Sequence, residues 1–221
     1  MGTTTLQEFA AYAEIGTMIA TLIALIGIYF TWRIFKLNSK RDSVKLASDM
    51  TKYFLTDYIP AATRSYDYMS SKGIELTPLP VRLIRFTKNE LSEKIYPDIL
   101  KRAGEQYVNV HTEHNVLSRY NLDGANILEV FATPFIAGVA DEETAFSCTG
   151  NSFCTSIEDR WLYYAFERSD KRKEHDYYSN TIALYNLWKS RIEKCNLEKS
   201  REELDRKIKE NHSKPLRPIG T

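Results

Sequence analysis

Residues 15–32 read IGTMIATLIALIGIYFTW and contain no charged side chain. At about 1.5 Å per residue such a run makes roughly 27 Å of helix, against a hydrocarbon core of about 30 Å. A helix in the core of a soluble domain keeps a polar stripe, whereas this run is apolar on every face. Tyr12, Tyr29 and Trp32 fall at its ends, where amphipathic rings settle at membrane interfaces. The run therefore reads as one membrane-crossing helix. A cleavable signal peptide is the competing reading, but such peptides open with positive charge. Here the only charged residues before the run are Glu8 and Glu14, and no small-residue cleavage pattern follows it.

Charge asymmetry sets the direction of crossing. Arg33, Lys36, Lys40 and Arg41 follow the run at once, Lys45 and Lys52 come next, and no basic residue precedes it. By the positive-inside tendency the short amino terminus crosses and the carboxyl-terminal side stays in the cytoplasm. The expected layout is an extracytoplasmic terminus over residues 1–14 and a transmembrane helix over 15–34. A cytoplasmic helical domain over 35–212 and a flexible tail over 213–221 complete it. The expected location is the inner (cytoplasmic) membrane, so the first expected partner is the lipid bilayer. The basic collar can also touch anionic headgroups, although stop-transfer accounts for it without them.

Within the span, Ala13, Thr17, Ala20, Ala24, Gly27 and Thr31 recur in alternating steps of four and three, and Gly16, Ala20 and Ala24 form a small-xxx-small row. Small residues allow close approach of two helices, and threonine hydroxyls can hydrogen-bond across the gap. The stripe points to self-association of the anchors, hence to a homo-oligomer.

The remaining sequence reads as all-α, a multi-helix bundle with a long C-terminal helix. Leu46, Met50, Tyr53 and Phe54 share one side of a helix over residues 42–58, which the anchor can enter without a break; Asn38 and Ser39 mark a possible bend. Pro60 suits the start of a helix through about Ser70. SKGIELTPLP at residues 71–80 is a loop. Thr87 with Glu90 matches a capping box, and Pro97 begins or kinks the next helical stretch. Ile127, Val130, Phe131, Pro134 and Phe135 follow helical spacing, with Pro134 a kink or break and Gly138 a stop. Asp141 with Thr144 starts a helix carrying Phe146, Phe153, Ile157, Trp161 and Tyr164, in which Gly150 is a weak point. After the charged loop SDKRKEHD, the residues Tyr178, Ile182, Tyr185, Trp188, Ile192 and Cys195 line one seam of the last helix. Beyond Asn196 its pattern thins into charges, as in a helix projecting into solvent.

Chemistry is sparsely signalled. Lys+Arg 30 against Asp+Glu 29 leaves a net charge of +1, so no nucleic-acid partner is expected. Cys148, Cys154 and Cys195 lack the paired spacing of a disulfide framework or zinc site and read as reduced thiols. On a helix His111 and His114 would share a face, half of a metal site that His175 or a carboxylate would have to complete, but ordinary surface or capping histidines are the favoured reading and no metal is expected. Asp141, Glu142 and Glu143 suit a helix N-terminus through the dipole. Glu158 and Asp159 precede Arg160 and can pair within their helix. There is no Gly-rich phosphate loop or nucleophile elbow, and no cofactor is expected.

RDSVKLA at residues 41–47, NILEVF at 126–131 and GVADEE at 138–143 resemble segments of an uncharacterised bacterial family of small membrane-tethered helical proteins. The resemblance implies one N-terminal span, a basic stretch and a cytoplasmic all-α domain, and no catalytic residues. The expected role is a membrane-anchored interaction or regulatory domain, self-associating, with a further protein partner possible at any surplus apolar face. The alternatives are a membrane-acting effector of defence or toxin type whose spans cluster, and a metal-dependent hydrolase or nuclease built on His111 and His114.

Overall fold

A computed structural model describes residues 3–75, 77–113, 115–168 and 177–210, and for residues 3–16 and 110–113 it describes the backbone alone. Among the described residues every regular element is helical. Helix α1 spans Thr3–Tyr53, a π-helical turn covers Phe54–Tyr58, and α2 continues over Ile59–Ser71. The backbone ladder thus runs unbroken from the apolar segment into the bundle, and Asn38 and Ser39 lie inside α1 rather than at a bend.

The π turn has a local cause. Pro60 has no N–H, and its ring conflicts with the carbonyl four residues earlier in a regular helix. Just before it the ladder widens, so that the Ile59 N–H donates to Phe54 O, five residues back. Pro60 therefore sits in the first turn of α2 without ending the helical rod. The widened turn also places Phe54 and Tyr58 on one side, both fully buried and stacked at 5.0 Å. The face expected from the spacing is inward: Ala47 is buried, and Leu46, Met50 and Tyr53 pack against the core.

Residues 72–75 and 77–87 lie in a loop held by one carboxylate. Thr87 caps α3 (Lys88–Lys94) by accepting the Glu90 N–H at 3.3 Å. The reciprocal half of the expected box is absent. Glu90 instead accepts the N–H groups of Ile84, Arg85 and Phe86 at 2.8, 2.7 and 2.9 Å and the Lys94 ammonium at 2.7 Å. Burial works to raise the Glu90 pKa, but Lys94 and the three backbone donors prevail and hold it below the ordinary carboxylate value. Phe86 adopts a positive φ of 51° and places its ring edge-on to Tyr185 at 5.3 Å. Leu83 and Phe86 are fully buried, so the loop contributes to the core.

Pro97 opens α4 (Pro97–Glu113), and α5 (Asn115–Ile136) follows. Pro134 neither breaks nor ends α5; it lies in the last turn, where the helix closes on Gly138 at φ 70° and the Pro134 carbonyl accepts from Val139 and Ala140. The inward face of α5 differs from the expected one. Gly124, Leu128, Phe131 and Phe135 are buried, while Val130 is 54% exposed. Phe131 and Phe135 belong to both candidate faces, so the spacing alone could not separate them.

Asp141 caps α6 (Glu142–Asp159), accepting the N–H and hydroxyl of Thr144 at 2.9 and 2.7 Å. Gly150 does not weaken this helix. A Cβ there would lie 2.7 Å from the Phe146 ring, so the glycine is what admits that ring. The expected aromatic helix is two helices: Arg160 interrupts it, and α7 covers Trp161–Glu167. The last helix, α8 (Ser179–Glu210), crosses α5 and α6 with Trp188 at the centre, its ring 5.0–6.0 Å from Phe131, Phe135, Phe146 and Phe153. Ile182, Tyr185 and Trp188 are buried as the seam requires, Ile192 is half-buried, and Cys195 is exposed because the bundle ends before it. Beyond Asn196 every described residue is exposed and pairs such as Lys207–Glu203 at 2.8 Å run along the surface.

Gly150→Ala tests the aromatic packing. At an ordinary helical site this change stabilises by about 1 kcal/mol. Here Phe146 is held by Trp188 and by Arg191 lying 4.1 Å from its ring, so it must be displaced. Overpacking costs of about 1–3 kcal/mol lead us to expect a net loss of stability. Denaturant unfolding of the full chain in detergent, followed by tryptophan fluorescence, reads the sign.

Candidate functional site

Two regions stand apart from ordinary core packing: the apolar length of α1 with its basic collar, and a buried arginine beside a cavity.

One helix, and one only among the described residues, is long and apolar enough to cross a membrane, and none of its apolar window is buried by the rest of the chain. Large apolar side chains stand exposed from Met18 through Leu37, including Ile34 and Phe35 beyond the first basic residue. A shallow groove on this helix is lined by Ala24, Gly27, Ile28, Thr31, Trp32 and Phe35, three of which belong to the small-residue stripe. Thr17 and Ala20 lie exposed on the same helix, whereas the side chains of Ala13 and Gly16 lie outside the described residues. The Thr31 hydroxyl donates to Gly27 O at 2.8 Å, and that of Thr21 to Thr17 O at 2.8 Å. The Thr31 proton is therefore engaged within its own helix, and the groove offers close packing rather than a free donor.

Arg33, Lys36, Lys40 and Arg41 are all exposed. The Lys36 ammonium lies 5.4 Å from the centre of the Trp32 ring. Lys36 and Lys40 line a cleft whose far wall is the α5–α6 turn at Gly138 and Val139. That turn is tied to α1 by the Asp141 N–H, which donates to Ser43 O at 3.1 Å.

The second region centres on Arg160, which is 6% exposed. Its guanidinium donates to the Tyr58 hydroxyl at 2.8 Å and lies 5.7 and 5.1 Å from the Tyr58 and Tyr66 rings. Tyr66 in turn donates to Asp159 at 2.5 Å. The buried cation is thus held by phenol oxygen and ring faces, with a carboxylate one hydrogen bond away. Glu158 does not pair within its helix either; it takes Lys189 at 2.6 Å and the Tyr185 hydroxyl at 2.9 Å. A cavity of about 60 Å³ touches Arg160, Asp159, Tyr66, Asn121, Gln106 and Leu162. It has room for a few waters.

The remaining candidates resolve into structural roles or lie outside the description. The His111, His114 and His175 side chains lie outside the described residues. Glu142 accepts from the Trp188 indole N–H, and Glu143 pairs with Arg191 at 2.5 Å, so the acid trio caps α6 and clamps α8. Cys154 is buried; burial first, and the nearby Glu158 charge second, push its thiol up to about 12, which makes it a protonated, unreactive group. Cys148 and Cys195 are exposed free thiols. Sequence reasoning placed Glu90 in a capping box and Arg160 beside Glu158 and Asp159, and missed that Glu90 binds the loop at Ile84, Arg85 and Phe86 and that Arg160 pairs with Tyr58. The one available signal for Arg160 was a charged residue inside an aromatic run.

No protein-family model, curated protein or solved structure matches the chain. The fold and site together define an all-helical protein with one exposed N-terminal helix of membrane-spanning length.

The aromatic packing around Arg160 has a pH signature. Burial first, and the hydrogen bond to Asp159 second, raise Tyr66 to about 12, and burial raises Tyr163, Tyr164 and Tyr185 well above the ordinary value of 10.0. A phenol that holds its proton more tightly in the fold adds stability below its unfolded pKa of about 10 and loses it as pH rises through the folded value. Stability should therefore fall from about pH 10 upward. Phenolate absorbance and unfolding should rise together there, and smooth, independent ionisation of every tyrosine in a folded chain would refute this account.

Proposed function

We propose that the chain is a membrane-anchored interaction or regulatory domain that self-associates through its N-terminal helix. The observation that carries this reading is the exposed apolar length of α1. Its side chains from Met18 to Leu37 have no protein packed over them, yet the same helix continues into the core at Ala47 and Phe54. A contiguous apolar cylinder of this extent is stable when lipid solvates it. The basic collar immediately after it favours an inner-membrane location with the bundle in the cytoplasm. The resemblance to small membrane-tethered helical proteins points the same way.

The groove around Ala24 and Gly27 supports self-association, because, its own local helix backbone aside, nothing crowds the place a Gly27 Cβ would take. A second helix can approach closely there. The bundle then acts by presenting its surface at the membrane rather than by covalent chemistry. Asp141 and Glu142 serve such a structural role as cap and clamp, and Cys154 is buried.

Alkaline extraction of membranes and cross-linking of intact cells test both parts. The chain should stay with the membrane after extraction and yield a cross-linked dimer. Ala20→Leu with Ala24→Leu should reduce that dimer severalfold while leaving the chain membrane-bound. Release at alkaline pH would reject the anchor; an undiminished dimer would reject the stripe.

A further inference from the structure

We propose that the cleft between α1 and the α5–α6 turn seats the headgroup of an anionic phospholipid. The inference rests on the membrane reading above and adds a defined lipid site to it. Trp32, Lys36 and Lys40 stand one helical turn apart on α1, and Val139 faces them from the turn. Val139 is 56% exposed and Trp32 57% exposed, so the upper part of the cleft is apolar and continuous with the span. The lower part is polar, with Lys40, Ser39 and Asn38 on the α1 side. An amphiphile fits this gradient: acyl chains beside Trp32 and Phe35, and a phosphodiester between the two ammonium groups.

The charge balance favours an anion. Neither Lys36 nor Lys40 forms an ion pair among the described residues. Asp42 also lines the cleft, leaving the two lysines in excess by one charge. Asp141 caps α6 through both donors of Thr144, keeps its charge and interacts with Lys40, but the exposed Arg33 and Arg41 on the same stretch of α1 add two further positive charges. The wall at Val139 cannot swing away freely, because the Asp141 N–H is bonded to Ser43 O at 3.1 Å and Ala140 is buried beside it. A rigid wall, a paired cation site and an adjoining apolar strip are what distinguish a seat from a diffuse basic collar. A soluble phosphate would use only the lysines and gain nothing from Val139 or Phe35.

The full chain, reconstituted in bilayers of phosphatidylcholine with a minority of phosphatidylglycerol, should retain phosphatidylglycerol preferentially through mild detergent purification. Lys36→Gln with Lys40→Gln should cut that preference roughly thirtyfold, at about 1 kcal/mol per basic residue. Val139→Trp, at an exposed turn position, should fill the cleft and cut it similarly without removing charge. Arg41→Gln with Lys45→Gln removes equal charge outside the cleft and should leave most of the preference. Inorganic phosphate at physiological ionic strength should not displace the lipid. Equal losses in the two charge pairs, an unaffected Val139→Trp variant, or displacement by phosphate would each overturn the seat while leaving the anchor intact. A chain that never enters the bilayer would overturn the anchor itself, and the seat with it.

Discussion

The unbroken hydrogen-bond ladder from α1 through the π turn into α2 governs the rest of the molecule. Past its first turn the backbone of the apolar half is hydrogen-bonded within the helix, so that half needs nothing from the bundle and the bundle half is free to use its side chains for packing. The two halves are mechanically one element. On the membrane reading, only residues 38–42 separate Leu37, the end of the run of exposed apolar side chains that starts at Met18, from Ser43, where the α5–α6 turn is tied on. At about 1.5 Å per residue that is less than 10 Å of helix. The bundle is then held close beneath the lipid surface in a fixed orientation, and does not swing on a tether.

Proline placement preserves this rigidity. Pro60 would kink a regular helix, yet the five-residue spacing of the Ile59–Phe54 bond absorbs the misfit in one turn. The same turn carries Phe54 and Tyr58 into the core, where Phe54 meets Phe131 at 5.2 Å and Tyr58 accepts from Arg160. The widened turn therefore links the rod to both centres of the bundle, the Trp188 aromatic cluster and the buried cation. The low-cost alternative, a break at Pro60, would uncouple the span from both.

What was legible in the sequence was local. Asp141 with Thr144 and Pro97 announce helix starts through chemistry that acts within a few residues. The apolar run announces itself through length and lack of a polar face. Non-local choices were hidden. Val130 and Leu128 are both apolar residues on the same helix as Phe131 and Phe135, and only the packing of the surrounding helices decides that Leu128 is buried and Val130 exposed. Glu90 matched a capping box by type and spacing, but a loop with a positive φ at Phe86 offered it three N–H groups instead of one. Arg160 looked like a surface residue pairing with its neighbours until Tyr58 and Tyr66, a hundred residues upstream, were brought beside it. The candidate site was legible as a span, a stripe and a collar; its cleft was not, because the Val139 wall comes from a turn distant in sequence.

The stripe and the lysines are compatible because of helical phase. At about 100° per residue, Lys36 and Lys40 point roughly opposite to Ala20, Ala24 and Gly27. Two copies packed along the small residues would keep their Lys36 and Lys40 ammonium groups on outer faces, away from each other and toward lipid. Had the small residues and the lysines shared a face, close approach would have opposed four like charges at the edge of a low-dielectric layer. Self-association along the small residues therefore keeps the lysines of two copies apart, while Trp32 and Phe35, which line both the groove and the cleft, are where the two uses of α1 meet.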